Sequence, residues 1–424
     1  MAEDGSALRE AGAHLALCCR SCGAPLEQVF VDLGLSPISN AMRRPDQAAD
    51  AERFYPLKTF VCGVCRLVQI QDVESREAHF HGDYTYFSSY SESWLAHALA
   101  YAQMMTARFG LGPQSRVVEV ASNDGYLLQY FKASGIPVQG IDPAANCAEA
   151  AERERGVPTL VRFFGQDLAR ELAAGGGSAD VIAANNVLAH VPDINDFVAG
   201  FKALLKPSGV ITVEFPHLLR LIEATYFDTI YHEHYSYLSL LAVERLFARH
   251  GLEVFDLQEL ATHGGSLRIF ARHASGGAPS DAVTAFRARE AAAGLDTAEA
   301  YAAFAEKVRG VKRQLLELLI GLKRQGRTIA AYGAPAKGVT LLNYCGIRSD
   351  FIDYAVDRNP HKQGLFLPGL GVPVHPPERI FETRPDYLLI LPWNLKEEIV
   401  SQMDGIRAWG GRFITPLPEP QILP

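Results

Sequence analysis

The stretch RVVEVASNDGYLLQYF, residues 116–131, decides the fold of this chain. Its valine-rich start predicts a short buried strand, and its apolar end, with Leu127, Leu128 and Phe131, predicts an amphipathic helix. The small polar turn between them consists of Ser122, Asn123, Asp124 and Gly125. A strand that passes through such a turn into a helix presents backbone N–H groups and a flexible glycine to a ligand. We therefore expect a nucleotide-like cofactor at this turn, at the carboxyl edge of a parallel sheet.

A second short strand, VQGID, follows this helix and ends in Asp142, with Pro143 directly after it. An acidic residue at that place can accept hydrogen bonds from both ribose hydroxyls of an adenosine. The order of Glu119, Gly125 and Asp142 is typical of an S-adenosylmethionine methyltransferase. A dinucleotide enzyme fits less well, because the GxGxxG pattern is absent. We count Glu119, the turn, Asp142 and Pro143 as candidate cofactor-binding residues.

Strands and helices continue to alternate after this point, which predicts a doubly wound, mostly parallel sheet. The segment ADVIAANNVLAHVPD predicts its fourth strand and should bring Asn185 and Asn186 close to the cofactor. His190 lies just past this strand. A single histidine is more often structural, but this one leaves a strand at the edge where ligands bind. Two later strands, LEVFDLQEL and SLRIFARH, are expected to close the sheet antiparallel.

Composition places the chain among ordinary globular proteins of about two to four domains. It has 424 residues, of which 48% are hydrophobic and 21% charged, and a net charge of −8. No run of lysine or arginine stands out, so nucleic acid and anionic membranes are not expected partners. No stretch is apolar for long enough to span a membrane and the start shows no signal-peptide pattern, so we expect a cytoplasmic protein. The sequence leaves the oligomeric state open, a monomer included.

Two CxxC pairs follow residues 1–17, a segment without a pattern that we expect to be a loose tail. The pairs consist of Cys19 with Cys22 and Cys62 with Cys65. They supply four thiolates at the spacing of a tetrahedral Zn²⁺ site, and a closed four-thiolate site is structural. The alternative, free cysteines in the core, is less favoured, because chance rarely places two such pairs in one segment. Cys18 adjoins the first pair, but only Cys19 has the CxxC spacing.

The densest group of titratable residues is YHEHYSY, residues 231–237. It is not the HExxH pattern of zinc proteases, so we do not expect a catalytic metal there. One interpretation is a polar helix start capped by Ser239. We favour a catalytic role, because Tyr231, Glu233 and His234 offer general bases in the range near neutral pH.

A segment rich in tyrosine and serine, HFHGDYTYFSSYSESW, lies between the cysteine pairs and the cofactor turn. Its composition favours a surface loop with aromatic anchors. Its position also suits a lid over a pocket.

A second α/β pattern begins near residue 326, after a charged helical segment of residues 275–325 that we interpret as a connector. Its first strand, TIAAYG, leads into the turn APAKG with Lys337 and then into a helix. The turn lacks the Walker A sequence, yet glycine and lysine at a helix start suit a phosphate group. The segment DRNPHKQG adds Arg358 and Lys362, which is consistent with a diphosphate ligand. A purely structural turn remains the alternative.

In this order, the motifs resemble those of the sugar C-methyltransferases that act on nucleotide-linked 4-keto-6-deoxyhexoses. The resemblance rests on the two cysteine pairs and on YTYFSS, VVEVASNDGYLLQYF, NNVLAHVPD, YHEHYSYLS, THGGSLRIFA, AYGAPAKGVTLLNY and DRNPHKQG. The α/β fold that it implies has a Rossmann-like S-adenosylmethionine methyltransferase core of residues 81–274. A small four-cysteine zinc-binding domain of residues 18–80 precedes the core, and a second Rossmann-like α/β domain of residues 326–424 binds the nucleotide-sugar.

The resemblance also implies roles for individual residues. The catalytic set is Tyr231, Glu233, His234, His190 and the loop residue Tyr86. Substrate contacts are expected from Tyr84, His263, Gly264, Lys337, Arg358 and Lys362. We expect His234, oriented by Glu233, to remove a proton next to the ketone, directly or through Tyr231. Tyr86 and His190 would then stabilise the enolate oxygen, and the carbon would take a methyl group from S-adenosylmethionine.

Two alternatives from other classes stay open at this point. An O- or N-methyltransferase of another small metabolite would use the same core but would need no base for a C–H bond. A non-catalytic zinc-ribbon module would have a degenerate cofactor fold, and the intact Glu119, Gly125 and Asp142 argue against it. The sequence names neither the nucleotide, the sugar nor the carbon that is methylated.

Overall fold

The computed structural model describes residues 17–47, 49–73 and 87–423. Three sheets with their helices make up this part of the chain, and strands and helices are numbered here in chain order. The cofactor turn, the YHEHYSY segment and the APAKG turn come together where these three units meet.

The N-terminal sheet is antiparallel and holds the second cysteine pair in the turn between its second and third strands. In spatial order its strands are β1 (Gln28–Ser36), β2 (Tyr55–Val61), β3 (Val68–Ile70) and β9 (Ser236–Tyr237). The last strand belongs to YHEHYSY, and it pairs antiparallel with β3. The backbone N–H of Ile70 also donates to the carbonyl of Tyr235 at 3.1 Å. This sheet therefore fixes the backbone of the candidate catalytic segment directly.

The central sheet has seven strands and is built around the valine-rich stretch. In spatial order they are β10 (Leu252–Leu260), β11 (Ser266–His273), β8 (Leu205–Pro216), β7 (Ala179–Asn185), β4 (Val117–Val120), β5 (Val138–Ile141) and β6 (Thr159–Leu160). Strands β4 to β8 pair parallel, whereas β10 and β11 add antiparallel. The predicted antiparallel closure is confirmed. All four residues of β4 are buried, as expected for a strand that helices cover on both faces.

Helices pack on both faces of the central sheet because neighbouring residues of each strand point to opposite sides. Val117 and Val181 face one layer, which contains α1 (Glu92–Phe109), α2 (Leu128–Ala133) and α3 (Ala145–Arg155). Val118 and Ile182 face the other layer, which contains α4 (Gln166–Ala174), α5 (Ile194–Leu204) and α7 (Leu240–Arg249). The short α6 (Leu218–Glu223) follows β8. Within the described part of the chain, no helix is long and apolar enough to cross a membrane.

The C-terminal sheet has six strands and forms a second α/β unit, as predicted. In spatial order they are β14 (Val374–His375), β13 (Ala355–Val356), β12 (Ile329–Tyr332), β15 (Tyr387–Ile390), β16 (Arg412–Thr415) and β17 (Gln421–Leu423). All neighbours pair parallel except β16 and β17. Its helices are α11 (Ala336–Cys345), α12 (Arg379–Thr383) and α13 (Lys396–Gln402). The helices that lead into it are α8 (Asp281–Ala292), α9 (Glu299–Ala302) and α10 (Phe304–Arg324).

One apolar cluster joins the N-terminal sheet, the segment after β8 and the C-terminal unit. Phe30 of β1 stacks on Phe304 of α10 with ring centroids 4.4 Å apart. Thr340 of α11 donates its hydroxyl to the carbonyl of Ile230 at 3.1 Å. The YHEHYSY segment is therefore held between the first and the last units of the chain.

Candidate active site

The four predicted cysteines form one cluster. The Sγ atoms of Cys19 and Cys65 lie 3.5 Å apart, those of Cys22 and Cys62 lie 3.4 Å apart, and all four lie within 4.8 Å of one another. A Zn–S bond of about 2.3 Å gives a tetrahedron with edges of about 3.8 Å, so these thiols fit a zinc ion. The Cys65 N–H lies 3.4 Å from Cys62 Sγ, as in a metal-binding knuckle. Cys18 is exposed and does not belong to the cluster.

A cavity of about 510 Å³ opens at the carboxyl edge of the central sheet. Its walls come from the N-terminal unit, the central sheet, the segment after β8 and the C-terminal unit. The predicted site residues in these walls are Asn123, Asp142, Pro143, Asn185, Asn186, His190, Tyr231, Glu233, His234, His263, Gly264, Lys337 and Lys362. The structure thus brings cofactor, catalytic and substrate candidates from distant parts of the chain to one cavity.

Asp142 ends β5 at the wall of this cavity. Its two carboxylate oxygens accept hydrogen bonds from the backbone N–H groups of Asn123 and Ala144, each at 2.8 Å. Burial raises the pKa of Asp142 to about 6, against these two hydrogen bonds. A carboxylate oxygen has more than one lone pair, so Asp142 can still accept ribose hydroxyls.

Two asparagine side chains offer acceptors to a ligand. The Oδ1 atoms of Asn185 and Asn186 are buried at the cavity wall and make no hydrogen bond within the described residues. A buried acceptor without a donor is destabilising by about 1–3 kcal/mol, and a ligand that donates N–H groups to it removes this cost. The amino groups of S-adenosylmethionine are donors of this kind, so the residues present fit this cofactor.

Four residues of the cavity wall hold backbone angles that L-amino acids rarely adopt. The residues are Ala121, Asn123, Asn186 and His263, with φ angles of 59°, 48°, 53° and 55°. Each such conformation costs of order 1–3 kcal/mol, and such residues cluster at functional sites. Their convergence on one cavity supports a functional role for it.

Part of the predicted cofactor turn lies behind the wall rather than in it. The candidates that do not line the cavity are Glu119, Ser122, Asp124 and Gly125. Asp124 instead accepts hydrogen bonds from the backbone N–H and the hydroxyl of Ser89, which lies just before α1. The structure therefore places these four candidates behind the cavity wall, where Asp124 helps to hold the turn in shape.

Gly125 shows why the turn needs a glycine for packing. Its φ is 76°, and a Cβ at this position would lie 3.2 Å from both Ala151 and Val157. Glu119 is fully buried, and burial raises its pKa well above the usual range, with the negative charges of Asp142 and Asp124 acting in the same direction. Neither of its carboxylate oxygens has a hydrogen-bond partner among the described residues.

The hydrogen bonds of His234 fix its tautomer. Its Nε2 lies 2.7 Å from the Tyr231 hydroxyl, and its Nδ1 lies 2.8 Å from the Thr229 carbonyl. Because a carbonyl can only accept, Nδ1 carries the hydrogen and Nε2 accepts from Tyr231. Burial, and then the neighbouring His190, lowers the pKa of His234 well below its ordinary value, which keeps the ring neutral. The His190 ring stands edge-on to it, with centroids 4.6 Å apart.

Glu233 does not orient His234, and this expectation from the sequence is wrong. The Glu233 carboxylate accepts from Asn40 Nδ2, which lies 2.8 Å from both oxygens, while Thr229 holds the histidine. Neighbouring side chains of the segment thus take different partners. Burial raises the pKa of Glu233 to about 7, against hydrogen bonds from Asn40 and the positive charge of Lys362. Sequence reasoning missed Asn40, because it lies 193 residues away and carries no motif.

Two half-buried lysines, Lys337 and Lys362, form the C-terminal side of the cavity. Lys337 lies in the first turn of α11 and donates a hydrogen bond to the side chain of Asn394. Its Nζ lies 4.6 Å from the centre of the Trp393 ring. Burial lowers the pKa of Lys337 to about 8, against the negative charge of Asp228. Burial lowers the pKa of Lys362 as well. Two desolvated cations at one wall favour an anionic ligand.

Arg358 does not reach the cavity. It is exposed, and its guanidinium lies 3.7 Å from the Glu398 carboxylate on α13. The loop turns Asp357 inward instead, where its carboxylate accepts from the Ala334 N–H at 2.7 Å. The predicted residues Tyr84 and Tyr86 lie outside the described residues.

Aromatic side chains complete the walls, and the sequence analysis did not identify them. Trp94 of α1 stacks on Tyr126 with centroids 6.0 Å apart and lies 5.5 Å from the ring of His263. Tyr226 also lines the cavity, and it stacks on Trp393 with ring centroids 3.9 Å apart. The tryptophan in SESW, directly before the Ala-rich helix, was a possible signal for the first pair. Nothing local connects the second pair.

Comparison with known proteins covers all three units of the chain. Residues 19–80 match a zinc binding domain family, residues 94–257 a methyltransferase domain family, and residues 261–418 the C-methyltransferase C-terminal domain family. The C-methyltransferase NovU of Streptomyces niveus is 36% identical over 406 residues, which is 96% of each chain. The chain belongs to this C-methyltransferase family. It is an S-adenosylmethionine-dependent C-methyltransferase with a structural zinc site, and the non-catalytic alternative is excluded.

Other similar proteins match a smaller share of this chain. A ubiquinone biosynthesis O-methyltransferase of Mesorhizobium japonicum is 28% identical over 116 residues, 26% of this chain and 47% of its own. Among solved structures, the PH0226 protein of Pyrococcus horikoshii has 16% identity and a TM-score of 0.36, with 45% of this chain and 95% of its own covered. Magnesium protoporphyrin IX methyltransferase of Synechocystis has 14% identity and a TM-score of 0.34, with 42% and 82% covered.

Proposed function

We propose that this C-methyltransferase methylates a carbon next to the ketone of a nucleotide-linked 4-keto-6-deoxy sugar. The observation that carries the proposal is the Tyr231–His234 pair, whose fixed tautomer leaves a proton acceptor in the same cavity as Asp142. A sugar carbon becomes a nucleophile only after it loses a proton, and a neighbouring ketone makes that C–H bond acidic. A carbon methyltransferase for such a substrate therefore needs a base beside the methyl donor.

The Tyr231–His234 pair supplies this base. The Tyr231 oxygen takes the proton of the sugar carbon while its own proton moves to His234 Nε2 across their 2.7 Å hydrogen bond. The electron pair of the broken C–H bond passes into the enolate. Because the pKa of His234 is low, its Nε2 is unprotonated and ready to accept a proton throughout the neutral pH range. Bound S-adenosylmethionine supplies the methyl group that the carbon then attacks.

His190 is proposed to stabilise the enolate oxygen. Its ring lies beside His234 at the same wall. His234 would accept the proton, and His190 would donate a hydrogen bond to the developing negative charge. Tyr86 is proposed for the same role from the sequence. Oxyanion contacts of this kind are often the largest single contribution to catalysis. Glu233, with a pKa of about 7, adds an acid–base group to this part of the cavity.

The C-terminal unit is proposed to hold the nucleotide-sugar. The half-buried Lys337 and Lys362 line the cavity and would balance the charge of a diphosphate. His263 and Gly264 would contact the nucleotide-sugar between these lysines and Trp94. The exposed Arg358 has no part in this proposal.

Solvent exchange of the substrate C–H distinguishes the proposed route from oxygen methylation, the activity named for the shorter O-methyltransferase matches. An O-methyltransferase would not exchange a substrate C–H with solvent. The test is proton NMR in D₂O with a dTDP-4-keto-6-deoxyhexose, first without and then with S-adenosylmethionine. We expect the signal next to the ketone to disappear and a C-methyl singlet to appear in the second step. Methylation without exchange, or the absence of both over a panel of nucleotide-linked keto-sugars, would exclude the proposal.

A further inference from the structure

Asn40 connects the zinc-binding unit to the centre of the cavity. It lies in the turn after β1, and its Nδ2 is 2.8 Å from both carboxylate oxygens of Glu233. The turn has internal support, since the Met42 N–H donates to the Asn40 carbonyl at 2.8 Å. Asn40 also lines the cavity, although it belongs to a different unit from the catalytic segment that carries Glu233.

The surroundings of Glu233 leave Asn40 as its hydrogen-bonding neighbour. From the C-terminal unit, Lys362 acts on the carboxylate through its charge, but no ion pair forms between them within the described residues. From its own segment, His232 lies 3.2 Å from the carbonyl of Pro56, and His234 is neutral and held by Thr229. Asn40 alone of these neighbours donates hydrogen bonds to the acid.

A neutral amide is suited to this task. Burial favours the uncharged form of a carboxyl group, while donated hydrogen bonds favour the ionised form. The Asn40 amide cannot take up or release a proton at working pH, so it donates at every pH. Burial has the larger effect, and it leaves the pKa of Glu233 at about 7. Loss of the Asn40 hydrogen bonds would raise this pKa further.

We propose that Asn40 is a positioning residue for the methyl transfer, which holds the Glu233 carboxylate in place and ionised at the cavity wall. The effect of Asn40 on catalysis, as part of this inference, rests on the proposed function. The zinc-binding unit thereby contributes to the active site, beyond supporting the fold.

The direct test is titration of Glu233 in the zinc-loaded enzyme. Carboxyl carbons of glutamate are labelled with ¹³C, and the Glu233 signal is identified by its loss in Glu233→Gln. In Asn40→Ala and Asn40→Leu we expect the titration midpoint to rise by about one pH unit or more, because a donor to the ionised form is lost. Asn40→Leu keeps the size of the side chain and adds no charge, in case the smaller residue disturbs the fold. Asp46→Ala, an exposed change in the same unit, should leave the midpoint unchanged.

Kinetics test the catalytic consequence. In Asn40→Ala we expect kcat at pH 7 to fall about ten-fold and the acidic limb of the pH–rate profile to move upward, with unchanged affinity for S-adenosylmethionine. In the Glu233→Gln background, Asn40→Ala should have no further effect on kcat. An unchanged Glu233 midpoint in both Asn40 variants overturns the inference. If the wild-type enzyme neither exchanges nor methylates keto-sugars, the proposed function fails, while the titration still decides the role of Asn40.

Discussion

At the scale of single residues, His234 combines a half-buried, neutral ring with a tautomer that Thr229 fixes. Glutamine in its place keeps the size and a hydrogen-bonding end but cannot accept a proton. We expect His234→Gln to lower kcat by about 10²–10⁴-fold, the usual contribution of general base catalysis, with S-adenosylmethionine affinity within about two-fold. Turnover and deuterium exchange of the substrate C–H should fall together. A variant that is folded and turns over at the wild-type rate would show that another group is the base.

Asp228 gives a second prediction at this scale. It is fully buried, and its carboxylate accepts from Trp393 Nε1 at 2.7 Å. Burial raises its pKa to about 6, against the charge of Lys337 and this hydrogen bond. The folded state therefore binds the proton more tightly than the unfolded state, whose pKa is near 3.8. The contribution of Asp228 to stability is fully present below about pH 4 and is lost as the pH rises through about 6.

Asparagine at position 228 keeps the acceptor for Trp393 and removes the titration. Between pH 4 and pH 7, we expect the free energy of unfolding to decrease less in Asp228→Asn than in the wild type. The two decreases should differ by about 1–3 kcal/mol over this range. Urea unfolding at several pH values measures it. The exposed Asp46→Asn should keep the wild-type slope, and an identical slope for both variants would contradict the prediction.

At the scale of elements, the zinc knuckle is attached to the loop that carries His190. Arg20, between two metal ligands, donates to the Pro192 carbonyl at 2.9 Å and to the Ile70 carbonyl at 2.7 Å. Asn195 of α5 donates back to the Arg20 carbonyl at 2.8 Å. Because β3 also pairs with β9, the knuckle supports both segments that supply the catalytic side chains.

This attachment predicts an effect of Arg20→Met on catalysis with little effect on metal content. Methionine keeps much of the apolar volume but donates no hydrogen bonds, so the His190 loop loses its anchor. We expect kcat to fall about ten-fold or more with zinc stoichiometry unchanged, because a small displacement of a catalytic group is expensive in rate. Arg44→Met, whose guanidinium pairs with Asp46 on the surface, is the matched control. Equal activity of the two variants would show that the knuckle does not position the loop.

Elements with a local signal could be predicted from the sequence, and their partners could not. The cysteine pairs and β4 with its turn are visible because their residues lie close together in the chain, and spacing and burial impose the pattern. The direction of each residue in the turn depends on neighbours such as Ala151, so the sequence pattern predicts ligand contacts for Asp124 and Gly125 although they lie behind the cavity wall. Asn40 and Glu233 meet only through the tertiary fold. For the same reason, the sequence does not show that Arg358 is exposed and lies near Glu398.

At the scale of the whole molecule, the cavity exists because the C-terminal unit packs against the turn between β10 and β11. Gly264 forms the joint there. A Cβ at this position would lie 2.8 Å from Trp393 and 3.0 Å from Tyr226, and its φ is 87°. Alanine would push the stacked pair of aromatic rings, whose centroids are 3.9 Å apart, away from the central sheet. The distance between the cofactor turn and Lys337 would then increase.

Gly264→Ala should therefore loosen the joint between the two α/β units more than backbone strain alone explains. Gly276→Ala is the matched control, because Gly276 also has a positive φ of 70° but has no atom near its missing Cβ. We expect Gly276→Ala to destabilise the protein by about 1 kcal/mol and Gly264→Ala by about 1–3 kcal/mol more, since overpacking adds to strain. Urea unfolding measures both. Tryptophan fluorescence should change in Gly264→Ala, and affinity for the nucleotide-sugar should fall while S-adenosylmethionine binds as before. Equal losses of stability in the two variants would mean that the rings move aside freely and that Gly264 does not set the spacing of the units.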